Sequence, residues 1–199
     1  MGAYRNRQPL RAGFGRIASL WLAIVVLICG ACSVLTPAHD SDATGKEFDG
    51  GPYARVGVGE RCPSFEVPMT DGSTICSDSL RGKVVLITLW ASWCPLCRKE
   101  MKAIMERGAL DEVRGKSDFV WLPIARQENL ATVKGWLGEK GYRVVSGYDE
   151  DRAVYALFAE QEIPRNILVG RDGTIVSHSV GFVQREFSGF VEEIKTMLH

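Results

Sequence analysis

Histidine is scarce in this chain: three occur in 199 residues, and none is spaced as a paired metal-binding motif. Structural zinc wants four ligands, usually as two close pairs, so this sequence offers little to hold one. Charge of one sign is missing too. Lys and Arg total 24 and Asp and Glu total 24, a formal net charge of zero. Without a basic surplus there is no electrostatic footprint for nucleic acid. Internal repeats and low-complexity tracts are absent, which sets aside repeat architectures. What remains, 46% hydrophobic and 24% charged residues, is an ordinary globular balance rather than a disordered or fibrous one. The length suits one domain with a short extension.

The neutral total hides an asymmetry. Residues 1–31 contain Arg5, Arg7, Arg11 and Arg16 and no acid, leaving 20 bases against 24 acids in the rest. An apolar stretch from Ile17 to Ile28 follows, then Cys29-Gly30-Ala31-Cys32-Ser33. A charged head, an apolar segment and small residues form the pattern of a bacterial export signal. It is also similar to a lipoprotein signal, which makes Cys32 the lipid-bearing N-terminus, although Cys29 stands where such signals usually carry Leu. An uncut anchor is a second reading, because Ile17 to Leu35 is uncharged and near the ~20 residues a membrane span needs. Plain secretion is a third. All three place the following domain outside the cytoplasm, held in the first two to the membrane by lipid or an N-terminal helix. Residues 32–54 read as a flexible polar tether, and 55–199 as one folded domain.

Within that domain, Phe65 to Pro68 and Ser73 to Ser77 flank Asp71-Gly72, a two-residue hairpin signal. Val84 to Trp90 is an unbroken apolar run rich in branched residues, the pattern of a strand buried on both faces. A helix follows with Pro95 at its first position and Met101, Ile104 and Met105 on one face. Phe119 to Ala125 reads as a second buried strand, with Pro123 implying an edge or irregularity at its far end. Asn129 caps a helix ending near Gly141, a strand is expected around Val144-Val145, and a short helix runs to Phe158. Asn166–Val169 and Thr174–Val180 form a hairpin around Arg171-Asp172-Gly173. The final helix carries Phe187, Phe190, Val191, Ile194, Met197 and Leu198 at a 3.6-residue period. Strands alternating with helices, then a hairpin and a helix, make a mixed α/β sandwich.

The chemistry concentrates at Trp93-Cys94-Pro95-Leu96-Cys97, between the buried strand and the helix. A Cys at a helix N-terminus faces unpaired amide N–H groups and the positive end of the helix dipole. Both favour thiolate and lower its pKa below the free value of ~8.5. A second Cys one turn on lies on the same face and can resolve a mixed disulfide.

The stretch from Lys83-Val84-Val85-Leu86 through Trp90-Ala91-Ser92-Trp93-Cys94-Pro95-Leu96-Cys97-Arg98-Lys99-Glu100-Met101 resembles the thioredoxin superfamily. It is most similar to the TlpA/ResA-like membrane-tethered thiol:disulfide oxidoreductases, in a resemblance running from Val56 to His199. That likeness implies a thioredoxin-like fold with an N-terminal β-hairpin and a helix and strand inserted before a cis-proline at Ile163-Pro164. It implies catalysis by Cys94 and Cys97, substrate contact by Trp93, Pro95, Ile163 and Pro164, and no cofactor or metal. It also implies reduction of disulfides in cell-envelope proteins, apocytochrome c among them, and a membrane electron donor of the DsbD/CcdA kind. Glu128 matches a Glu set near the thiols in ResA-like members, where it would accept the proton of Cys97. Its bland alternative is a solvated Glu at a helix N-terminus. Trp93 is either active-site wall or core, and Arg165 either touches substrate or is solvated. Cys62 and Cys76 are either a structural disulfide or separate thiols; the expected turn sets Cys76 opposite Val67, too far from Cys62 unless the chain bends. A peroxiredoxin-like peroxidase is disfavoured because Ala91 occupies the position of its Thr or Ser. A Sco-like copper carrier is disfavoured because it needs Cys-x-x-x-Cys and a His, for which His178 lacks the context.

Overall fold

The computed structural model describes residues 49–199. The expected export signal, Cys32 and the tether up to residue 48 lie outside the described residues. A hairpin of β1 (Glu66–Pro68) and β2 (Thr74–Cys76) comes first, followed by a 3-10 turn at Ser77–Leu80. Then follow β3 (Val84–Trp90), α1 (Pro95–Met105), the single turn α2 (Asp111–Arg114), β4 (Phe119–Arg126) and α3 (Leu130–Lys140). After them come β5 (Gly147–Asp149), the single turn α4 (Tyr155–Phe158), β6 (Arg165–Val169), β7 (Ile175–Val180) and α5 (Gln184–Met197). Strands β3 to β7 form one sheet in the order β5-β4-β3-β6-β7. Strand β3 runs parallel to β4 and antiparallel to β6. Among the described residues no helix is long and apolar enough to cross a membrane.

Strand β3 is buried at all seven positions because it is the centre of the sheet with cover on both faces. Val85, Ile87 and Leu89 pack with Phe65, Val67 and Met69 of the hairpin region and with Tyr155 and Phe158. Val84 and Leu86 point the other way, into Ile104 of α1 and Phe187, Phe190 and Ile194 of α5. Each such side chain contributes about 1.5–3 kcal/mol by leaving water. The Asn129 side chain accepts the Thr132 N–H at 3.0 Å and starts α3, which ends at Gly141 in the left-handed conformation its φ of 67° requires.

Four local expectations need correction. The inserted strand lies at Gly147–Asp149, not at Val144-Val145. Hairpin β1–β2 packs on it so closely that a Cβ at residue 147 would sit 2.8 Å from Val67 Cγ2, so glycine, not branched side chains, marks the strand. Pro123 does not mark an edge at the far end of β4, for Ile124–Arg126 pair with β5; the uncovered half precedes it. The first hairpin turns through Met69–Ser73, Met69 N–H donating to Ser73 O and the Asp71 carboxylate accepting from Ser73 N–H, which sets Cys76 opposite Glu66. Cys62 and Cys76 are both free thiols, and burial pushes Cys62 up to about 11. Finally, residues 49–54 of the expected tether lie on the domain. Asp49 bridges to His178 and Ala54 to Ala159.

Candidate active site

Strand β3 delivers the chain to Trp90, and the turn Ala91-Ser92-Trp93 carries it into α1 with Cys94 as the N-cap and Pro95 in the first turn. Cys94 and Cys97 are joined as a disulfide with Cα atoms 5.2 Å apart. Cys94 Sγ accepts the Cys97 N–H at 3.2 Å, so an amide at the helix N-terminus is aimed at the sulfur expected to carry charge. Cys97 is fully buried among Trp90, Ala91, Met101 and Val133. Trp93 and Leu96 are about half exposed, at 52% and 41%, so Trp93 is surface beside the sulfurs rather than core.

The Ile163–Pro164 peptide bond is cis. Cys94 Sγ lies 3.6 Å from the Ile163 carbonyl oxygen, so a loop remote in sequence meets the cysteine turn here. Pairing of β3 with β6, Leu89 opposite Arg165, brings the two loops to one end of the sheet.

Glu128 is not the solvated acid of the second reading; it lies beside the cysteine turn. It is buried, and its carboxylate accepts the Ser92 N–H at 2.9 Å and the Ser92 hydroxyl. Arg98 Nε donates to Ser92 O from the other side. The cysteine turn is therefore clamped through Ser92, and the cap of the following helix is Asn129. Glu128→Ala would strand the Ser92 N–H away from water, and we expect a loss of about 1–3 kcal/mol, read as a lower melting temperature. Ser92→Ala keeps that N–H paired to Glu128 and should cost less; equal losses would contradict this account.

Sequence reasoning missed Glu100. It lies one turn after Cys97 on α1, is fully buried, and accepts from Asn166 Nδ2. Its other oxygen has no partner among the described residues. Burial pushes its carboxyl up to about 8, with the Asn166 hydrogen bond opposing. Asn166 in turn accepts from Thr88 Oγ1, which accepts from Trp121 Nε1. The signal was available: Cys97, Glu100, Met101 and Ile104 share one face, and an acid in an apolar stripe marks a buried carboxyl.

Arg165 also departs from expectation, being neither solvated nor exposed for contact but fully buried beneath the cis-proline loop. His178 is buried too, with Nδ1 3.3 Å from Val56 O and Nε2 3.3 Å from Arg165 Nη1. Both ring nitrogens are thus engaged, which removes it as a copper ligand. Among the described residues no group of three or more His, Cys, Asp or Glu could hold a metal ion.

The Redoxin family model matches residues 57–197. The thiol:disulfide interchange protein DsbE of Allochromatium vinosum is 30% identical over 143 residues, 71% of this chain and 75% of that one. The thiol-disulfide oxidoreductase ResA of Bacillus thuringiensis is 23% identical over 141 residues, 70% of this chain and 80% of that one. In three dimensions the chain resembles a Bacteroides thetaiotaomicron protein named as a candidate protein disulfide isomerase. The two are 35% identical with a TM-score of 0.69, covering 73% of this chain and 92% of that one. A thioredoxin-family thiol:disulfide interchange protein from Chlorobium tepidum shares the fold at TM-score 0.58 and 23% identity, covering 70% of this chain and 96% of its own. With a strand–CxxC–helix unit facing a cis-proline loop on this thioredoxin-like frame, the chain belongs to the Redoxin family and is a thiol-disulfide oxidoreductase of the ResA/DsbE type.

Proposed function

We propose that this chain works outside the cytoplasm, held at the membrane by its N-terminal segment, and reduces disulfides of envelope proteins through Cys94 and Cys97. The observation that carries this reading is the position of Cys94 Sγ at a helix N-terminus, 3.6 Å from the carbonyl before cis-Pro164. A substrate segment lying along Ile163 and Pro164 brings its disulfide to Cys94, with Trp93, Leu96 and Pro95 as the surrounding surface.

Starting from the dithiol, the Cys94 thiolate attacks one substrate sulfur. A Cys94–substrate bond forms, the substrate disulfide breaks, and the released substrate thiolate takes a proton from water. Cys97 then gives up its proton and attacks Cys94 Sγ, releasing the second substrate thiol and leaving the Cys94–Cys97 disulfide. Two electrons and two protons have moved to the substrate. Glu128, held to the cysteine turn through Ser92, accepts the proton of Cys97, and Glu100 is a second buried carboxyl on the helix face that carries Cys97. A membrane dithiol donor of the DsbD/CcdA kind returns the pair to the reduced state, and apocytochrome c cysteines are among the substrates.

The test is a redox titration of the purified full chain in thiol buffers, with alkylated cysteines counted by mass. One two-electron step at Cys94/Cys97, at or below ~−230 mV, is the expected result; a value near ~−120 mV would make the chain an oxidant instead.

A further inference from the structure

Arg165 follows the cis-proline directly, yet its guanidinium turns inward and is fully buried. Its Nε donates to the carbonyls of Gln161 and Glu162 at 3.0 and 3.1 Å, and Nη2 donates to Gln161 O at 2.8 Å. The remaining arm, Nη1, donates to the carbonyl of Gly50 at 2.5 Å, 115 residues away, and faces His178 Nε2. A buried cation needs its donors filled, and here backbone carbonyls fill most of them. Among the described residues its one carboxylate neighbour, Glu162, is 3.9 Å away and half exposed.

Two segments are therefore pinned by one side chain. The first is the loop Gln161–Ile163, bent at Glu162, whose φ of 70° is uncommon for a residue with a side chain. With the carbonyls of 161 and 162 drawn inward, the carbonyl of Ile163 is the one left facing Cys94. The second is a strap, Asp49 to Gly51, lying along β7 through the Asp49–His178 bridge. Gly50 has φ +83°, and a Cβ there would fall 2.3 Å from His178 Nδ1. Only glycine lets the strap approach closely enough to offer its carbonyl to Arg165. The partners assign the imidazole tautomer: Val56 O can only accept and Arg165 can only donate, so Nδ1 carries the proton and Nε2 accepts from Arg165.

We propose that Arg165 is a positioning residue for the exchange reaction, holding the substrate-facing edge at Ile163 in place, and that the strap at Gly50 is the part of the device that completes it. The inference rests on the reading above, in which substrate lies along Ile163 and Pro164. It adds that the segment immediately before the domain is a component of the substrate site rather than slack chain. Neither Gly50 nor Arg165 itself touches Cys94 or Cys97; both act through the loop that carries Ile163, so their loss falls first on substrate docking.

The experiment uses the full chain with a disulfide-bridged peptide as substrate and dithiothreitol as electron source. Gly50→Ala is expected to raise KM about tenfold, the effect of losing one charge-assisted contact, while kcat stays at its wild-type value. Arg165→Lys keeps the charge but cannot span three carbonyls, and it should move KM in the same direction. Combining the two should do no more than the Lys change alone, because both break one contact. Asp49→Ala is the gentle variant for the case in which Gly50→Ala does not fold. It removes the carboxylate that accepts the Gly51 N–H at 2.9 Å and should raise KM severalfold without a clash. An unchanged KM in folded variants overturns the proposal. So does a fall confined to kcat, which is what a merely structural role would give. Failure of the underlying reading shows differently: Cys97→Ala in an otherwise wild-type chain would then trap no peptide at Cys94.

Discussion

Replacing Cys94 with alanine should bring disulfide exchange down to the uncatalysed background, whereas replacing Cys97 should stop turnover with the substrate still attached. The asymmetry follows from placement. Cys94 is the cap of α1 with the Cys97 N–H on its sulfur; it meets the cis-proline loop and keeps a 5% opening to solvent. Cys97 is fully enclosed and can reach only a bond already formed on Cys94. In the Cys97→Ala chain Cys94, the thiol left of the pair, should alkylate with a pKa below the free value of ~8.5, because a helix N-terminus favours its anion. Non-reducing mass analysis after mixing with a disulfide peptide should show a one-to-one adduct in Cys97→Ala and none in Cys94→Ala. Equal adducts in both would mean that the enclosure of Cys97 does not set the order of attack.

A second large effect belongs to Glu100. Unfolded, its carboxyl releases a proton near 4.5; folded, it holds that proton up to about 8. Between those values the unfolded chain binds fewer protons than the folded one, so stability falls as pH rises through this window. At 1.36 kcal/mol per pH unit the loss between pH 4.5 and 7 is on the order of 3 kcal/mol. Glu100→Gln has the same shape and no proton to lose, so its stability should lack this slope. Urea midpoints of the two proteins in the disulfide form should therefore diverge with pH, the variant becoming relatively more stable toward pH 8. Asp149 and Glu193, also raised by burial, and His178, lowered to about 4 by burial and Arg165, contribute equally to both proteins and drop out of the difference. Parallel curves would mean that Glu100 does not hold its proton when folded.

The part of this site written in local sequence was legible. A seven-residue branched run before Cys-Pro-Leu-Cys specifies a doubly buried strand and an N-capped helix with few alternatives, and the cis-proline followed from the resemblance. Side chains whose role depends on distant partners were not legible in the same way. Arg165 reads as a surface residue until the strap returns 115 positions away to meet it. Glu128 reads locally as a helix-start acid and only the resemblance set it near the thiols; the adjacency of β3 and β4 is what brings it to Ser92. The strand at Gly147 was hidden because what selects it is Val67 pressing from the hairpin, a contact that no period in residues 142–149 encodes.

The state of Cys62 bears on how such a chain keeps its own covalent structure. Exchange proceeds through the anion, and with its proton held up to about 11, roughly one Cys62 in ten thousand is anionic at pH 7. During every turnover a reactive disulfide and an attacking thiolate exist on the same domain, so a second reactive sulfur would invite mispairing. Burial against Phe65 and Leu80 makes Cys62 chemically quiet instead, and intramolecular scrambling through it is suppressed by the same apolar contacts that seat the hairpin.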